Sequence, residues 1–247
     1  MEAISRKTVG AFEEQANTFE STLILMRSIG SELSKVGDKH KGDYLFGSLH
    51  ILFARNLILL LSAYQAALAG LYGTARTLMR VALENALLMR YFASNPEEAE
   101  GWTKDAEWYF NHRPKVIRDA LFQDKGKLLQ IYRNAYSALS SYVHPSNQGW
   151  EEIIVPSGNG KVFISYGPDY NENFTASVLN DMMLLSKMTL LPMITSFSSE
   201  MDESRLREVS EIQKTIDRLL LSALESETKS AEFSGHSSFE FRSHWTY

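Results

Sequence analysis

The stretch from residue 74 to residue 94 has helical periodicity and is apolar on nearly every side. One face is made only of small or apolar residues, namely Ala75, Leu78, Met79, Ala82, Ala86 and Met89. The opposite stripe carries Arg76, Arg80 and Glu84, and leucines intrude on it. Because a helix that is apolar all round is normally central in its domain, this segment predicts a helical bundle built around it.

The three charges of this helix need partners, since an unpaired buried charge costs several kcal/mol. Arg80 and Glu84 are separated by one helical turn and can pair, although arginine before glutamate is the less favourable order. Two interpretations remain open. The charges form an internal ion pair that fixes the helix register, or the guanidinium of Arg76 or Arg80 is presented to a phosphate while Glu84 orients it.

A second candidate feature is the end of a predicted helix at residues 126–143, where His144 is followed by Pro145. Proline cannot continue a helix, so the helix is expected to end there. One face of it carries Arg133, Tyr136, Ser140 and His144. A histidine at this position can act as a general acid or base. Alternatively, it only bonds the last carbonyls of the helix.

Most of the remaining chain also has helical periodicity, and the fold class that it predicts is all-α. Further helices are expected at 3–36, 44–70, 96–112, 115–122, 172–199 and 202–226. Two short β-rich runs, 153–155 and 162–166, flank the turn sequence at 156–160. We therefore predict a multi-helix bundle of six to eight helices with a small β-hairpin insertion near 151–167.

A single helical domain is expected over residues 1–226, followed by a flexible C-terminal tail at 227–247. The tail is rich in serine and glutamate, which is typical of unpacked segments. It nevertheless contains aromatic residues that are candidates for docking on a partner protein: Phe233, Phe239, Phe241, Trp245 and Tyr247.

Composition excludes several classes of function. The net charge of −5 is unlike that of proteins that grip nucleic acid without sequence preference, so any contact with RNA is expected to be local. The absence of cysteine excludes disulfides, thiolate nucleophiles and cysteine-bearing zinc sites, and is typical of a cytoplasmic protein. The scattered histidines show no metal-ligand spacing, so neither a metal nor another cofactor is predicted.

The apolar run from Leu57 to Tyr72 raises the question of a membrane span. It has about 16 residues, whereas a spanning helix needs about 20. We expect a buried bundle helix and no membrane, with a membrane span as the alternative. The polar N-terminus predicts no signal peptide.

Three segments together, 75–84, 91–92 and 136–145, resemble a group of bacterial helical proteins with an R-x-x-x-E motif followed by L-S-x-x-x-H-P. In this chain the motifs are Arg80 to Glu84 and Leu139 to Pro145. That group is similar to the HEPN superfamily, all-α domains of toxin and phage-defence systems. The resemblance covers a core at about 44–146. It implies a homo-oligomer, commonly a dimer, and a metal-independent ribonuclease.

The resemblance also implies roles for individual residues. His144 would be the general acid or base, Arg80 would stabilise the phosphate, and Glu84 would orient the arginine or carry a second proton. Arg76, Ser140 and Tyr136 would bind substrate.

The chain departs from the usual HEPN signature, in which an arginine precedes the histidine by four to six residues on the same helix. Ala138, Leu139 and Ser140 occupy those positions here, so the arginine would have to come from the 74–94 helix or from a second subunit. A non-catalytic, dimeric interaction module is the competing expectation, and a binder of small molecules between helices is a third.

Overall fold

The computed structural model describes residues 2–122, 126–143, 154–156, 162–164, 168 and 170–234. Within these ranges the chain forms α1 (Glu2–Ala11), α2 (Glu13–Lys35), α3 (Tyr44–Leu68), α4 (Tyr72–Ser94), α5 (Pro96–Lys104), α6 (Trp108–Asn111), α7 (Pro114–Leu121), α8 (Gly126–Ser141), α9 (Glu172–Phe197) and α10 (Glu203–Ser234). The predicted all-α bundle is confirmed. The predicted number of six to eight helices is too low, because the described residues contain ten.

The two additional helices arise because two predicted helices are each divided. The segment predicted at 3–36 breaks at Phe12, whose backbone angles of φ −129° and ψ 42° are not helical. The segment predicted at 96–112 breaks at Asp105, whose carboxylate accepts the backbone N–H of Glu107 at 2.8 Å. Such a local bond offers the backbone an alternative to the helix, and periodicity alone does not reveal it.

The centre of the bundle is an antiparallel pair formed by α3 and α4. Gly70 turns the chain between them with φ 76°, a conformation that glycine adopts without steric cost. α9 packs against both helices, and α2 and α10 complete the layer beyond α3 and α9. Met79, Ala82 and Met89 of α4 are completely buried, so α4 has the central position that its composition predicts.

α3 is the one helix of the described residues that is long and apolar enough to cross a membrane, with a mean hydropathy of 1.7 over its best window. In this structure it packs against α2, α4, α5 and α9, and Leu49, Leu60 and Ala63 are completely buried. Its outer face is different, because Ile51, Ile58 and Leu61 remain exposed.

A buried polar junction joins α3, α4 and α9. Asn56 of α3 donates hydrogen bonds to the carbonyl oxygen of Ala82 at 3.1 Å and to the hydroxyl of Thr189 at 3.0 Å. It accepts one from the side-chain amide of Asn85 at 2.8 Å. Since each amide has one orientation that satisfies these partners, the junction fixes the relative register of the three helices.

Two short strands, β1 (Ile154–Pro156) and β2 (Val162–Ile164), pair antiparallel, with Val155 opposite Phe163. Of the turn predicted at 156–160, Pro156 ends β1, and residues 157–160 lie outside the described part of the chain. At the other end, α10 continues to Ser234, eight residues beyond its predicted end at 226. The tail residues 235–247 also lie outside the described part of the chain.

Candidate active site

The charged stripe of α4 faces α8, and Arg80, Tyr136 and Glu84 form a closed triangle between the two helices. Arg80 Nη2 donates to the Tyr136 hydroxyl at 2.7 Å, and that hydroxyl donates to Glu84 Oε1 at 3.0 Å. The third side is the ion pair between Arg80 Nε and Glu84 Oε1 at 3.5 Å. The charge of Arg80 is therefore balanced within the protein. We call this group the Tyr136 triangle.

Arg76 lies one turn before the triangle and connects α4 with α8 and α9. Its Nη1 donates to the hydroxyl of Tyr142, and its Nη2 donates to Ser177 Oγ at 3.3 Å. The guanidinium carbon also lies 4.5 Å from the centre of the Tyr142 ring and 5.4 Å from that of Phe174, within the range of cation–π attraction. None of these partners is a carboxylate.

The electrostatic balance of the site follows from these contacts. Burial is the main reason why the pKa of Tyr136 is raised, so its phenol stays neutral and can both accept from Arg80 and donate to Glu84. Within the described residues, Arg76 forms no ion pair and keeps an uncompensated positive charge. Among the described charges of this group, that of Arg76 is therefore the one that no carboxylate balances.

Several buried polar atoms at this site have no hydrogen-bond partner among the described residues. They are Nε of Arg76, Nε of Arg80 and the hydroxyls of Ser140 and Tyr132. A buried donor without an acceptor costs about 1–3 kcal/mol. The two arginine Nε atoms are thus donors that an additional acceptor would stabilise.

The structure brings together four of the six site residues that the sequence suggests. Arg80, Glu84 and Tyr136 are in direct contact, and Arg76 contacts the same helix through Tyr142. Ser140 lies one turn after Tyr136 on α8. His144 lies outside the described residues, so its position relative to the arginines is not described.

Sequence reasoning missed two residues of the site, Tyr142 and Ser177. Tyr142 stands inside the L-S-x-x-x-H-P motif, and its position two residues before His144 was the available signal. Ser177 is 101 residues from Arg76 along the chain, and no local pattern indicates the contact.

The described residues do not present a metal centre, since no three of their histidine, aspartate or glutamate side chains are grouped so as to hold a metal ion. The described part of the site offers guanidinium, phenol, hydroxyl and carboxylate groups. These groups bind and orient anions and transfer protons.

Comparison of the chain with protein-family models, with curated proteins and with solved structures gives no match.

Proposed function

We propose that the chain is a HEPN-like protein of a bacterial defence or toxin system that cleaves RNA without a metal ion. The observation that carries the proposal is the pair of guanidinium groups, Arg76 and Arg80, which lie one turn apart on α4 beside the end of α8. Arg76 has no carboxylate partner among the described residues, so its positive charge is available to bind a phosphate.

Cleavage of RNA by its own 2′-hydroxyl requires a base for that hydroxyl, an acid for the leaving oxygen and positive charge at the phosphate. Arg76 supplies the charge, and Arg80 assists while Tyr136 and Glu84 hold it in place. His144 is the proton-transfer group, and it follows Tyr142, a contact of Arg76, by two residues along the chain. Glu84 is the candidate for the second proton carrier.

The competing proposal is a non-catalytic interaction module. The observation that favours it is the Tyr136 triangle, in which Arg80 and Glu84 satisfy one another through a neutral phenol. Because the charges of Arg80 and Glu84 balance one another, the triangle requires no charged ligand and can serve only to fix α4 against α8.

Cleavage of a generic single-stranded RNA by the purified protein in the presence of EDTA distinguishes the two proposals. Catalysis predicts that wild-type protein cleaves RNA, that His144→Ala abolishes cleavage, and that Arg76→Gln lowers its rate by about 100-fold or more. Arg27→Gln is the matched control, because Arg27 is exposed on α2, away from the site. Circular dichroism verifies that each variant is folded.

An inactive wild-type protein, or cleavage that survives both His144→Ala and Arg76→Gln, contradicts the ribonuclease proposal. The interaction module instead predicts that Arg80→Met lowers thermal stability while no RNA is cleaved by any variant.

Self-association is part of both proposals. Ile51, Ile58 and Leu61 form an exposed apolar strip on the outer face of α3, with exposed fractions of 61%, 65% and 44%. Exposed apolar residues on one helix face are a feature of association sites, and a second copy of the chain is the proposed occupant, with Arg55 lying between Ile51 and Ile58 on the same face. Light scattering should give a dimer for wild-type protein and a monomer for Ile58→Lys, whereas a monomeric wild type contradicts the proposal.

Two further parts of the proposal rest on the sequence. The absence of cysteine supports a cytoplasmic location. The aromatic residues of the C-terminal tail are proposed contacts for a partner protein. Removal of residues 235–247 should abolish that interaction and leave the folded bundle intact.

A further inference from the structure

A cavity of about 310 Å³ lies between α3, α4 and the segment that contains α5 to α7. Its volume is at the lower end of the range found for small-molecule sites. The floor is aliphatic, and Leu52, Leu87 and Ile117 in it are almost completely buried. Such a space holds a compact apolar group and is too small for a folded partner.

Aromatic side chains form part of the cavity wall. Trp102 lines it and packs against Phe92 with ring centres 5.5 Å apart, which restricts its movement. Tyr109 also lines it and is half exposed, as expected for a residue near an opening. Flat apolar groups gain stacking or edge contacts beyond burial at such a wall, so an aromatic ligand is favoured.

The polar groups of the cavity differ in how well they are satisfied. Glu84 is balanced by Arg80 and Tyr136 in the Tyr136 triangle. Asn85 donates its amide to Asn56 in the polar junction. Arg55, by contrast, is a solvent-exposed residue that lines the edge of the same cavity, and it forms no hydrogen bond or ion pair with any described residue. The uncompensated charge of the cavity is therefore positive.

We propose that this cavity is a binding site for a small aromatic carboxylate. The ring of the ligand lies on the aliphatic floor beside Trp102 and Tyr109, and its carboxylate pairs with the guanidinium of Arg55. A monoanion is favoured over a phosphate ester because a single arginine faces the ligand while the carboxylate of Glu84 is close by. The cavity shares Glu84 with the Tyr136 triangle, but Arg55 and the aromatic wall lie outside the triangle, so the binding test does not depend on the ribonuclease proposal.

Calorimetric titration of the full chain with three probes of similar shape tests the assignment. Phenylacetate is the carboxylate, phenylethanol is the neutral control and phenylethylamine is the cation. Phenylacetate is expected to bind at millimolar concentration or below, about fivefold or more tightly than phenylethanol, with no detectable binding of phenylethylamine. Quenching of tryptophan fluorescence upon titration provides a second readout near Trp102.

Two variants locate the binding. Arg55→Gln should remove the preference for phenylacetate over phenylethanol, whereas Arg27→Gln should leave it unchanged. Val81→Trp fills the cavity from a partly exposed position of its wall and should abolish binding of both probes. Far-ultraviolet circular dichroism and the melting temperature show whether Val81→Trp remains folded, and the Arg55→Gln result stands independently of it.

Phenylacetate that does not bind at millimolar concentration overturns the proposal. It is also overturned if Arg55→Gln binds phenylacetate as tightly as the wild type, or if phenylethylamine binds most tightly. That last result would make Glu84 the group that selects the ligand.

Discussion

The hydroxyl of Tyr136 donates a hydrogen bond to Glu84 Oε1 at 3.0 Å and thereby ties α8 to α4. Tyr136→Phe removes this bond and the acceptor of Arg80 while the ring is preserved. We expect a loss of about 1–2 kcal/mol in the free energy of unfolding, measured by urea titration. Tyr109→Phe is the control at a half-exposed site and should change it by less than about 0.5 kcal/mol. Equal effects of the two changes would contradict a stabilising triangle.

The polar junction predicts non-additive effects of substitution. Asn56→Leu leaves the Asn85 amide buried without its acceptor and should cost about 2–4 kcal/mol in the free energy of unfolding. The double variant Asn56→Leu/Asn85→Leu removes the unsatisfied amide and should be more stable than Asn56→Leu alone. Urea unfolding of the single and double variants measures the coupling, and additive losses would show that the two amides act independently.

Substitution by alanine at two helical glycines, Gly101 and Gly47, should change the stability of the protein in opposite directions. A Cβ at Gly101 would lie 2.8 Å from Cδ1 of the buried Trp108, so Gly101→Ala should destabilise by about 1–3 kcal/mol. A Cβ at Gly47 meets no atom within 4 Å, and Gly47→Ala should stabilise by about 0.5–1 kcal/mol through helix propensity. Melting temperatures of the two variants provide the comparison. A stabilising Gly101→Ala would show that Trp108 moves freely.

Removing Asp217 of α10 should destabilise the protein more than removing its ion-pair partner, Lys187 of α9. Lys187 is buried, and its Nζ lies 2.6 and 2.8 Å from the two carboxylate oxygens of the half-exposed Asp217. Asp217→Ala removes the carboxylate that Lys187 bonds through both oxygens and should cost about 1–3 kcal/mol after allowance for solvent. Lys187→Met leaves a carboxylate that water can reach and should cost less than about 1 kcal/mol. Chemical denaturation of both variants measures the two losses in the free energy of unfolding. A larger loss for Lys187→Met than for Asp217→Ala would contradict the prediction.

His50 predicts a pH dependence of stability. Burial lowers the pKa of His50 below its ordinary value of 6.5, and a backbone contact at Gly30 opposes the shift in part. The unfolded chain therefore takes up a proton here more readily than the folded chain. This contribution to stability is complete above pH 6.5 and declines as the pH falls towards the lower folded pKa.

The variant His50→Gln isolates this contribution. Between about pH 7 and pH 5 its free energy of unfolding should fall less than that of the wild type, since glutamine does not titrate. Lys39→Gln, at an exposed position, should keep the wild-type slope. Parallel slopes for His50→Gln and the wild type would exclude His50 as the group responsible.

The sequence predicted the central helices closely because local signals mark their ends. Predicted bounds of 44–70 and 74–94 compare with the observed Tyr44–Leu68 and Tyr72–Ser94, and Gly70 supplies the turn. Asn95 shows the limit of such signals. It occupies the N-cap position of α5, where asparagine is a favoured residue, yet its amide donates to the carbonyl of Tyr91 at 2.9 Å, and its side chain makes no capping bond to α5.

Only those residues of the candidate site that share a face of one helix could be grouped from the sequence. Arg76, Arg80 and Glu84 share a stripe of α4, and Tyr136 was suggested by its place on the face of α8. Contacts between distant segments carry no such signal. The polar junction was missed, although an asparagine inside a very apolar helix such as α3 was the available clue.

The bond between Asn56 and Thr189 spans 133 residues of sequence. During folding, the amide of Asn56 cannot exchange water for all its final partners until α3, α4 and α9 have come together. A partly folded state that held only α3 and α4 would therefore keep a hydrated amide at its centre, and packing of α9 would exclude that water. Bringing α9 to α3 and α4 costs loop-closure entropy, and the hydrogen bonds of the junction form only after that cost has been met. The junction thus makes the three helices a single cooperative unit, which amide hydrogen exchange would detect as one common opening energy.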